Sequence, residues 1–394
     1  MAISLPPDLL FIIFRLASAI DVAHHSTNPI DCLPSALATY ALVNKNWHDV
    51  AQHELYTRLY LRPSTHADTL MLLLRTLETT PALASRTHVL SYSAYALARG
   101  DTCTLARILQ RCSTRLEHLS LHGWAAAPDE RVALHTALAS CTRLRTLTLA
   151  NGASAAPLCD LPAFLATAQR WPQIEALSLG ANCVHIPTTA TTSASASALA
   201  CACPRLVRWE FRADAGTADA DILPPAGLAP RLSVLVLRGG ALRTSAALAP
   251  ALEAWSGHLT HLAVQCPVPT AVADASLATL ARFRRLRTLR IPSAYLRPGD
   301  LARAGGFVAL EELQYKLEAR ELPLLAAALR GRVQGWGALP VLKTLTVCPA
   351  YGVRRGFEVG LIRELVEVCA EKGIKLAVGN CGGAFDGCLE AKQA

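Results

Sequence analysis

The stretch Arg115–Leu121 reads RLEHLSL, and Arg143–Leu149 reads RLRTLTL. With the first leucine as origin, large apolar residues stand at positions 0, +3 and +5. The origin recurs at Leu116, Leu144, Ile174, Leu206, Leu232, Leu259, Leu286, Leu310 and Leu342, at intervals of 24 to 32 residues. The +3 and +5 positions are Leu119/Leu121, Leu147/Leu149, Leu177/Leu179, Trp209/Phe211, Leu235/Leu237, Leu262/Val264, Leu289/Ile291, Leu313/Tyr315 and Leu345/Val347. Position −3 is apolar in most units, as in Cys141, Trp171, Cys203, Phe283, Phe307 and Leu339. A chain with this period is built of stacked units, because one unit cannot bury its own apolar faces.

Helical periodicity precedes the motif in TLARILQRC, RVALHTALASC, DLPAFLATAQRW, AALAPALEAWSG and SLATLARF. Each unit therefore reads helix, short loop, short strand. L-x-x-L-x-L at this period is the leucine-rich-repeat signature. The expected fold is an α/β leucine-rich-repeat solenoid with a parallel concave sheet and convex helices. THVLSYS (residues 87–93) reads as a degenerate first strand, GLIRELVEVCAEKG as a late amphipathic helix and IKLAV as a last strand. Two stretches, 188–198 and 213–230, lengthen the loops around the Leu206 unit.

Strand side chains alternate, so +3 and +5 point into the core and +2, +4 and +6 onto the concave face. Early units present small, nearly neutral residues there, His118, Ser120 and His122 among them. From Arg208 onward the face turns basic. Its candidate substrate-binding residues are Arg208, Glu210, Arg212, Arg238, His261, Arg290 and Lys316. Guanidinium forks pair carboxylates and phosphates bidentately, so an acidic or phosphorylated substrate segment is the expected occupant.

The first sixty residues carry no repeat. LPPDLLFIIFRLA puts Leu9, Ile13 and Leu16 on one helical face and Leu10, Phe14 and Ala17 on another. A helix apolar nearly all round needs cover nearly all round, from the solenoid or from a partner. NKNWHDVAQHELY continues with Trp47, Val50, Ala51 and Leu55 at helical spacing, and LYTRLYL ends in a strand-like alternation. Leu5-Pro6, Asp8, Leu9-Leu10, Ile13-Phe14, Leu42-Val43, Lys45, Trp47 and Val50-Ala51 together resemble the F-box. With repeats behind it, the chain resembles the F-box/leucine-rich-repeat proteins, especially the fungal type. The resemblance implies a small all-α F-box-like domain at 1–62, followed by a connecting helix at 63–86, the solenoid at 87–379 and a tail at 380–394. It further implies a substrate-recognition subunit of an SCF-type cullin–RING ubiquitin ligase. A Skp-family adaptor, and through it a cullin scaffold, would dock on Leu5, Pro6, Leu9, Leu10, Ile13 and Phe14, while the repeats hold a protein substrate. The alternative is a repeat scaffold whose N-terminal helices only cap the solenoid, although a cap has a polar outer face.

Other classes find little support. The net charge of +8 comes from scattered arginines with no long basic run, which argues against nucleic acid as a partner. LLFIIF followed by LASA mimics a signal peptide, but Asp8 precedes the apolar run and Arg15 interrupts it. No apolar run reaches the ~20 residues that span a bilayer. Thirteen cysteines without framework spacing read as reduced, mostly buried thiols, so the expected location is cytoplasmic or nuclear. His24-His25 sit in a polar loop. No H-E-x-x-H, G-x-S-x-G or phosphate-loop pattern occurs, so neither catalysis nor a metal or other cofactor is expected.

Overall fold

In a computed structural model the protein is described at residues 6, 8–10, 12–14, 39–61, 68–93, 101–124, 127–151, 156–180, 183–185, 203–213, 229–239, 252–265, 283–293, 296–298, 307–330, 339–349 and 359–378. The chain divides into two compact units, Met1–Thr189 with Ala202–Arg205, and Ala190–Cys201 with Leu206–Ala394.

The first unit opens with helical residues at 8–10 and 12–14, followed by helix α1 (Lys45–Thr57). Asn44 caps α1, its side-chain oxygen accepting from the Trp47 amide at 3.0 Å. Strand β1 (Arg58–Leu61) follows α1 with no residue between them. Next come α2 (Asp68–Thr79), α3 (Pro81–Ala84), β2 (Val89–Ser93), α4 (Asp101–Cys112), β3 (His118–His122), α5 (Pro128–Ser140) and β4 (Thr146–Ala150). A short strand β5 (Cys159–Asp160), helix α6 (Leu161–Ala168), β6 (Ala176–Leu179) and β7 (Val184–His185) complete it. The main strands run parallel in the order β1-β2-β3-β4-β6, and β5 pairs with β7 apart from them.

The second unit holds β8 (Arg208–Ala213), β9 (Val234–Gly239), β10 (His261–Gln265), β11 (Thr288–Pro292), β12 (Glu312–Leu317), β13 (Thr344–Pro349) and β14 (Lys375–Val378), parallel and in sequence order. Helices α7 (Leu322–Leu329) and α8 (Val359–Glu371) pack against each other. Each unit thus has the strand–helix repeat that the leucine spacing predicts. Of the helices read from periodicity, TLARILQRC, RVALHTALASC and DLPAFLATAQRW form α4, α5 and α6. AALAPALEAWSG is helical at 252–255, and SLATLARF lies outside the described residues except for Phe283. The loop stretch 188–198, most of 213–230 and the tail from 379 also lie outside them.

One bonding pattern repeats through both units. The carbonyl at +1 of one repeat accepts the amides at +1 and +2 of the next. Glu117 and His118 both donate to His88, Arg145 and Thr146 to Glu117, and Lys343 and Thr344 to Glu311. A second pattern closes the turn before several of the strands. The origin amide donates to the carbonyl at −3, as Leu144 to Cys141 and Ile174 to Trp171. This explains the apolar −3 residue, because the turn tucks its side chain into the core, where Cys141, Trp171, Cys203, Phe283 and Phe307 are buried. The +1 side chains add a ladder of exposed ion pairs. Glu117 lies 3.2 Å from His88 and 3.4 Å from Arg145, and Glu311 lies 2.6 Å from Lys343 and 3.9 Å from Arg287. Such exposed pairs contribute little stability each, but they favour the register in which opposite charges meet.

Two boundaries differ from the sequence reading. The connecting segment holds two helices, α2 and α3, broken at Thr80-Pro81, where proline opens the second. The sheet begins earlier than residue 87, since Arg58–Leu61 pairs with Val89–Tyr92.

The core depends on the +3 and +5 leucines. Leu119→Ala leaves a cavity in a fully packed strand and should cost about 2–5 kcal/mol. Met71→Ala, on the exposed side of α2, should cost well under that. Urea unfolding of the full chain checks both, with Leu119→Ala lowering the midpoint and Met71→Ala leaving it nearly unchanged.

Candidate functional site

The N-terminal helical residues begin where the Pro6 carbonyl accepts from the Leu9 and Leu10 amides at 3.1 and 3.2 Å. One side of this helix is core. Leu10 and Phe14 pack with Val50 and Ala51, flanked by Tyr40, Ala41 and Trp47. Phe14 stacks on Tyr40 with ring centroids 5.0 Å apart and meets Trp47 edge-on at 5.5 Å. Tyr40 and Trp47 close the triangle at 5.9 Å. Such aromatic contacts are worth about 0.5–1.5 kcal/mol each beyond the area they bury.

The opposite side is open. Leu9 is 47% exposed and Ile13 42%, and Ile12 is exposed beside them. These residues share a helical face at i, i+3 and i+4 spacing. Leu42 and Val43, in the turn leading to Asn44, are exposed as well, Leu42 at 86%. The structure thus divides the six residues expected to meet an adaptor. Pro6, Leu9 and Ile13 are on the surface, and Leu5 lies outside the described residues. Leu10 and Phe14 belong to the core, because Tyr40, Trp47 and Val50 cover that side of the helix. Ile12, Leu42 and Val43 are surface residues that the helical pattern did not single out. Their signal was an apolar pair in a turn, where polar residues are usual.

The second surface is the open face of the second unit's sheet. Arg208, Glu210 and Arg212 alternate along β8, and register sets Arg212 beside Arg238 of β9. Glu210 sits between two guanidinium groups, with Arg208 at 3.0 Å and Arg238 at 3.1 Å. His261 on β10 accepts or donates at the Thr260 hydroxyl, 2.8 Å away. Its imidazole is held below the usual histidine range, chiefly by loss of water around it. Arg290 on β11 is half-buried.

Lys316 departs from expectation. Its position on β12 has the outward parity, yet the residue is only 7% exposed. Gln314 beside it and Thr346 and Cys348 on β13 share that parity and are buried too. The outward parity stays exposed at Glu312 but not at Gln314 or Lys316, so Lys316 is not part of an accessible stripe. Burial pushes its ammonium down to about 8.

In the first unit the same face is small and nearly neutral, as the sequence indicates. His118 Nδ1 lies 2.8 Å from the Thr146 hydroxyl, and Ser120 Oγ 2.9 Å from His122 Nε2. Ser120 and His122 lack the orienting carboxylate of a nucleophilic triad among the described residues. No group of three or more His, Cys, Asp or Glu side chains is placed to hold a metal ion, again among the described residues. None of the described helices is long and apolar enough to cross a membrane.

Among the described residues, Cys103, Cys112, Cys141, Cys159, Cys203 and Cys369 are free thiols. Burial pushes Cys112 and Cys203 up to about 11 and Cys141 to about 12, which keeps them protonated and unreactive. Cys348 is an exception to the expected reduced state, being disulfide-bonded. It has the outward parity near the end of β13, yet it is fully buried.

With this geometry in view, comparison with known proteins adds an independent finding. Residues 2–62 match the F-box-like family. This range contains the aromatic triangle, the exposed Leu9 and Ile13, and strand β1. Among solved structures, the chain is similar to the leucine-rich repeat-containing protein LegL7 from Legionella pneumophila. Identity is 13%, the TM-score is 0.40, and the match covers 79% of this chain and 97% of that one. No curated protein matches the chain. The family match covers the N-terminal segment, and behind it the parallel strands follow one another in the order and period that the leucine spacing predicts.

Two outcomes test these assignments. Phe14→Ala should cost about 3–5 kcal/mol, as for other buried aromatics, and should accelerate amide hydrogen exchange across residues 39–57. Leu9→Asp should leave that exchange unchanged. The second outcome concerns Lys316. Its ammonium loses its proton more readily folded than unfolded, so folding releases a proton between about pH 8 and 10.5. In that window stability gains as pH rises, and below it the contribution is flat. The urea midpoint of the native chain, measured relative to Lys316→Met, should therefore climb from pH 8 to 10.5.

Proposed function

We propose that the chain is the substrate-recognition subunit of an SCF-type cullin–RING ubiquitin ligase, of the kind found in fungi. The observation carrying this reading is the divided N-terminal helix. Its inner side is satisfied by Tyr40, Trp47, Val50 and Ala51. Its outer side leaves Leu9, Ile12 and Ile13 in water, within a segment that matches the F-box-like family. Such segments generally bind Skp-family adaptors. A helix that only capped the repeats would be polar on its outer side. An apolar outer face instead fits a partner that covers it.

In this reading Pro6, Leu9, Ile12, Ile13, Leu42 and Val43 form the adaptor surface, and the adaptor links the chain to a cullin scaffold. The open face of the repeats holds the protein substrate, centred on Arg208, Arg212 and Arg238. The chain supplies recognition, and ubiquitin transfer belongs to the other subunits. The free thiols among the described residues support a reducing compartment, cytoplasmic or nuclear, with the disulfide at Cys348 as the exception.

Affinity purification of the full chain, with a Skp-family adaptor quantified by mass spectrometry, tests the assignment. The double variant Leu9→Asp, Ile13→Asp should lose the adaptor, while its thermal unfolding stays that of the native chain. Each fully buried Leu or Ile is worth roughly 1.5–3 kcal/mol at such an interface, so two buried charges there should abolish capture. Adaptor capture at native strength by the double variant would show that the surface is not an F-box interface.

A further inference from the structure

We propose that Cys348 is a redox-reversible half-cystine, its disulfide opened by thiol reductants, and that Lys316 and Gln314 hold the thiolate so released. The property is separate from the recognition role above, and it makes strands β12 and β13 responsive to the thiol redox state of their surroundings.

Gln314 and Lys316 on β12 and Thr346 and Cys348 on β13 have the outward parity of their strands, yet all four are buried. Register pairs Gln314 with Thr346 and Lys316 with Cys348. Paired strands lie about 4.8 Å apart, so the lysine and the half-cystine leave the sheet on the same side as immediate neighbours. Gln314 reaches across diagonally, its Nε2 amide donating to Cys348 Sγ at 3.8 Å. Cys348 is disulfide-bonded, whereas the buried Cys112, Cys141, Cys203 and Cys369 are thiols. In a compartment that keeps such thiols reduced, disulfides are as a rule transient or redox-sensing.

The surroundings of Cys348 fit its thiolate better than its disulfide. A disulfide sulfur is neutral and a weak acceptor, so an ammonium and an amide gain little from it. Lys316 has meanwhile lost water to burial, which pushes its ammonium down to about 8. A buried charge is tolerated where an opposite charge meets it. Cleavage of the S–S bond supplies that charge on the neighbouring strand. The thiolate attracts the ammonium and turns the Gln314 contact into a charge-assisted hydrogen bond. Both interactions are stronger in the reduced form, so both favour opening and make Cys348 the better leaving group. Cys348 is fully buried, so attack falls on the sulfur bonded to it. A reductant thiolate adds there, a mixed disulfide forms, and the electron pair of the broken bond leaves on Cys348 Sγ. A second reductant thiolate then attacks the mixed disulfide and releases the other protein sulfur, which takes up a proton. Two electrons pass to the protein, and the reductant departs as its own disulfide.

The test equilibrates the full chain in mixtures of reduced and oxidised glutathione without denaturant. The samples are quenched in acid, alkylated and digested, and mass spectrometry quantifies Cys348 as thiol or as protein disulfide. The native chain should interconvert fully in both directions. Lys316→Met should need a glutathione equilibrium ratio about tenfold more reducing for half-reduction, a shift of ~30 mV. Gln314→Leu should move the midpoint the same way by about threefold, and it carries the test if Lys316→Met does not fold. A residue that served packing alone would lower the urea midpoint and leave the redox midpoint in place. Lys372→Met, at an exposed position just past α8, should leave both in place. A Cys348 that forms no protein disulfide in oxidised glutathione, that is reduced only in denaturant, or whose midpoint is unmoved in the folded variants would overturn the proposal.

Discussion

Within both units a single carbonyl of one repeat accepts two amide hydrogens of the next. His88 receives Glu117 and His118, and Glu117 in turn receives Arg145 and Thr146. This shared acceptor fixes where each strand begins. With the start fixed, strand alternation decides every later position, and Leu119 and Leu121 enter the core while His118, Ser120 and His122 do not. A slip of one residue would turn the leucines outward and the imidazoles inward, so burial and hydrogen bonding enforce the same register. Because the backbone is satisfied by this pattern, the outward side chains are left to vary. That freedom lets one scaffold present a neutral face on β3 and β4 and an arginine-bearing face on β8 and β9.

The repeat was legible because it is a local, periodic signal reinforced nine times. The nine strands at the motif positions and the apolar −3 residues follow from it, whereas the short strands β5 and β7 do not. The N-terminal helix shows where such reading stops. Leu9 and Leu10 are neighbours of equal hydropathy, and periodicity alone assigns both to apolar faces. Only the arrival of Tyr40, Trp47 and Val50 decides that Leu10 is core and Leu9 is surface. Those partners stand some thirty to forty residues away. Lys316 shows the same limit from the other side. Its parity along β12 reads as surface, and what buries it is not encoded in the alternation of its own strand.

Charge behaved similarly. Counting residues gives Arg208, Arg212 and Arg238 as a positive stripe, but position makes them unequal. Glu210 is enclosed by two of them, and among the described residues no carboxylate pairs with Arg212. An ionic surface is therefore described better by which charges are already spent than by their sum. The +1 ladder of Glu117 and Glu311 makes the same point, since its cations are held by neighbouring repeats.

Helix α1 ends at Thr57 and strand β1 begins at Arg58. The next strand clasps this joint from the side. The Thr87 hydroxyl donates to the Tyr56 carbonyl at 2.9 Å, and the His88 amide donates to that of Thr57 at 3.0 Å. Two of the carbonyls a helix leaves open at its end are thereby held by the sheet. In mechanical terms the helical segment is welded to the first repeats rather than tethered to them. A tether lets its cargo sample a volume and raises encounter only through effective concentration. A weld fixes direction as well as distance. Whatever the N-terminal surface is bolted to therefore dictates the aim of the first strands, and a glycine-rich insertion between Thr57 and Arg58 would turn a rigid bracket into a hinge.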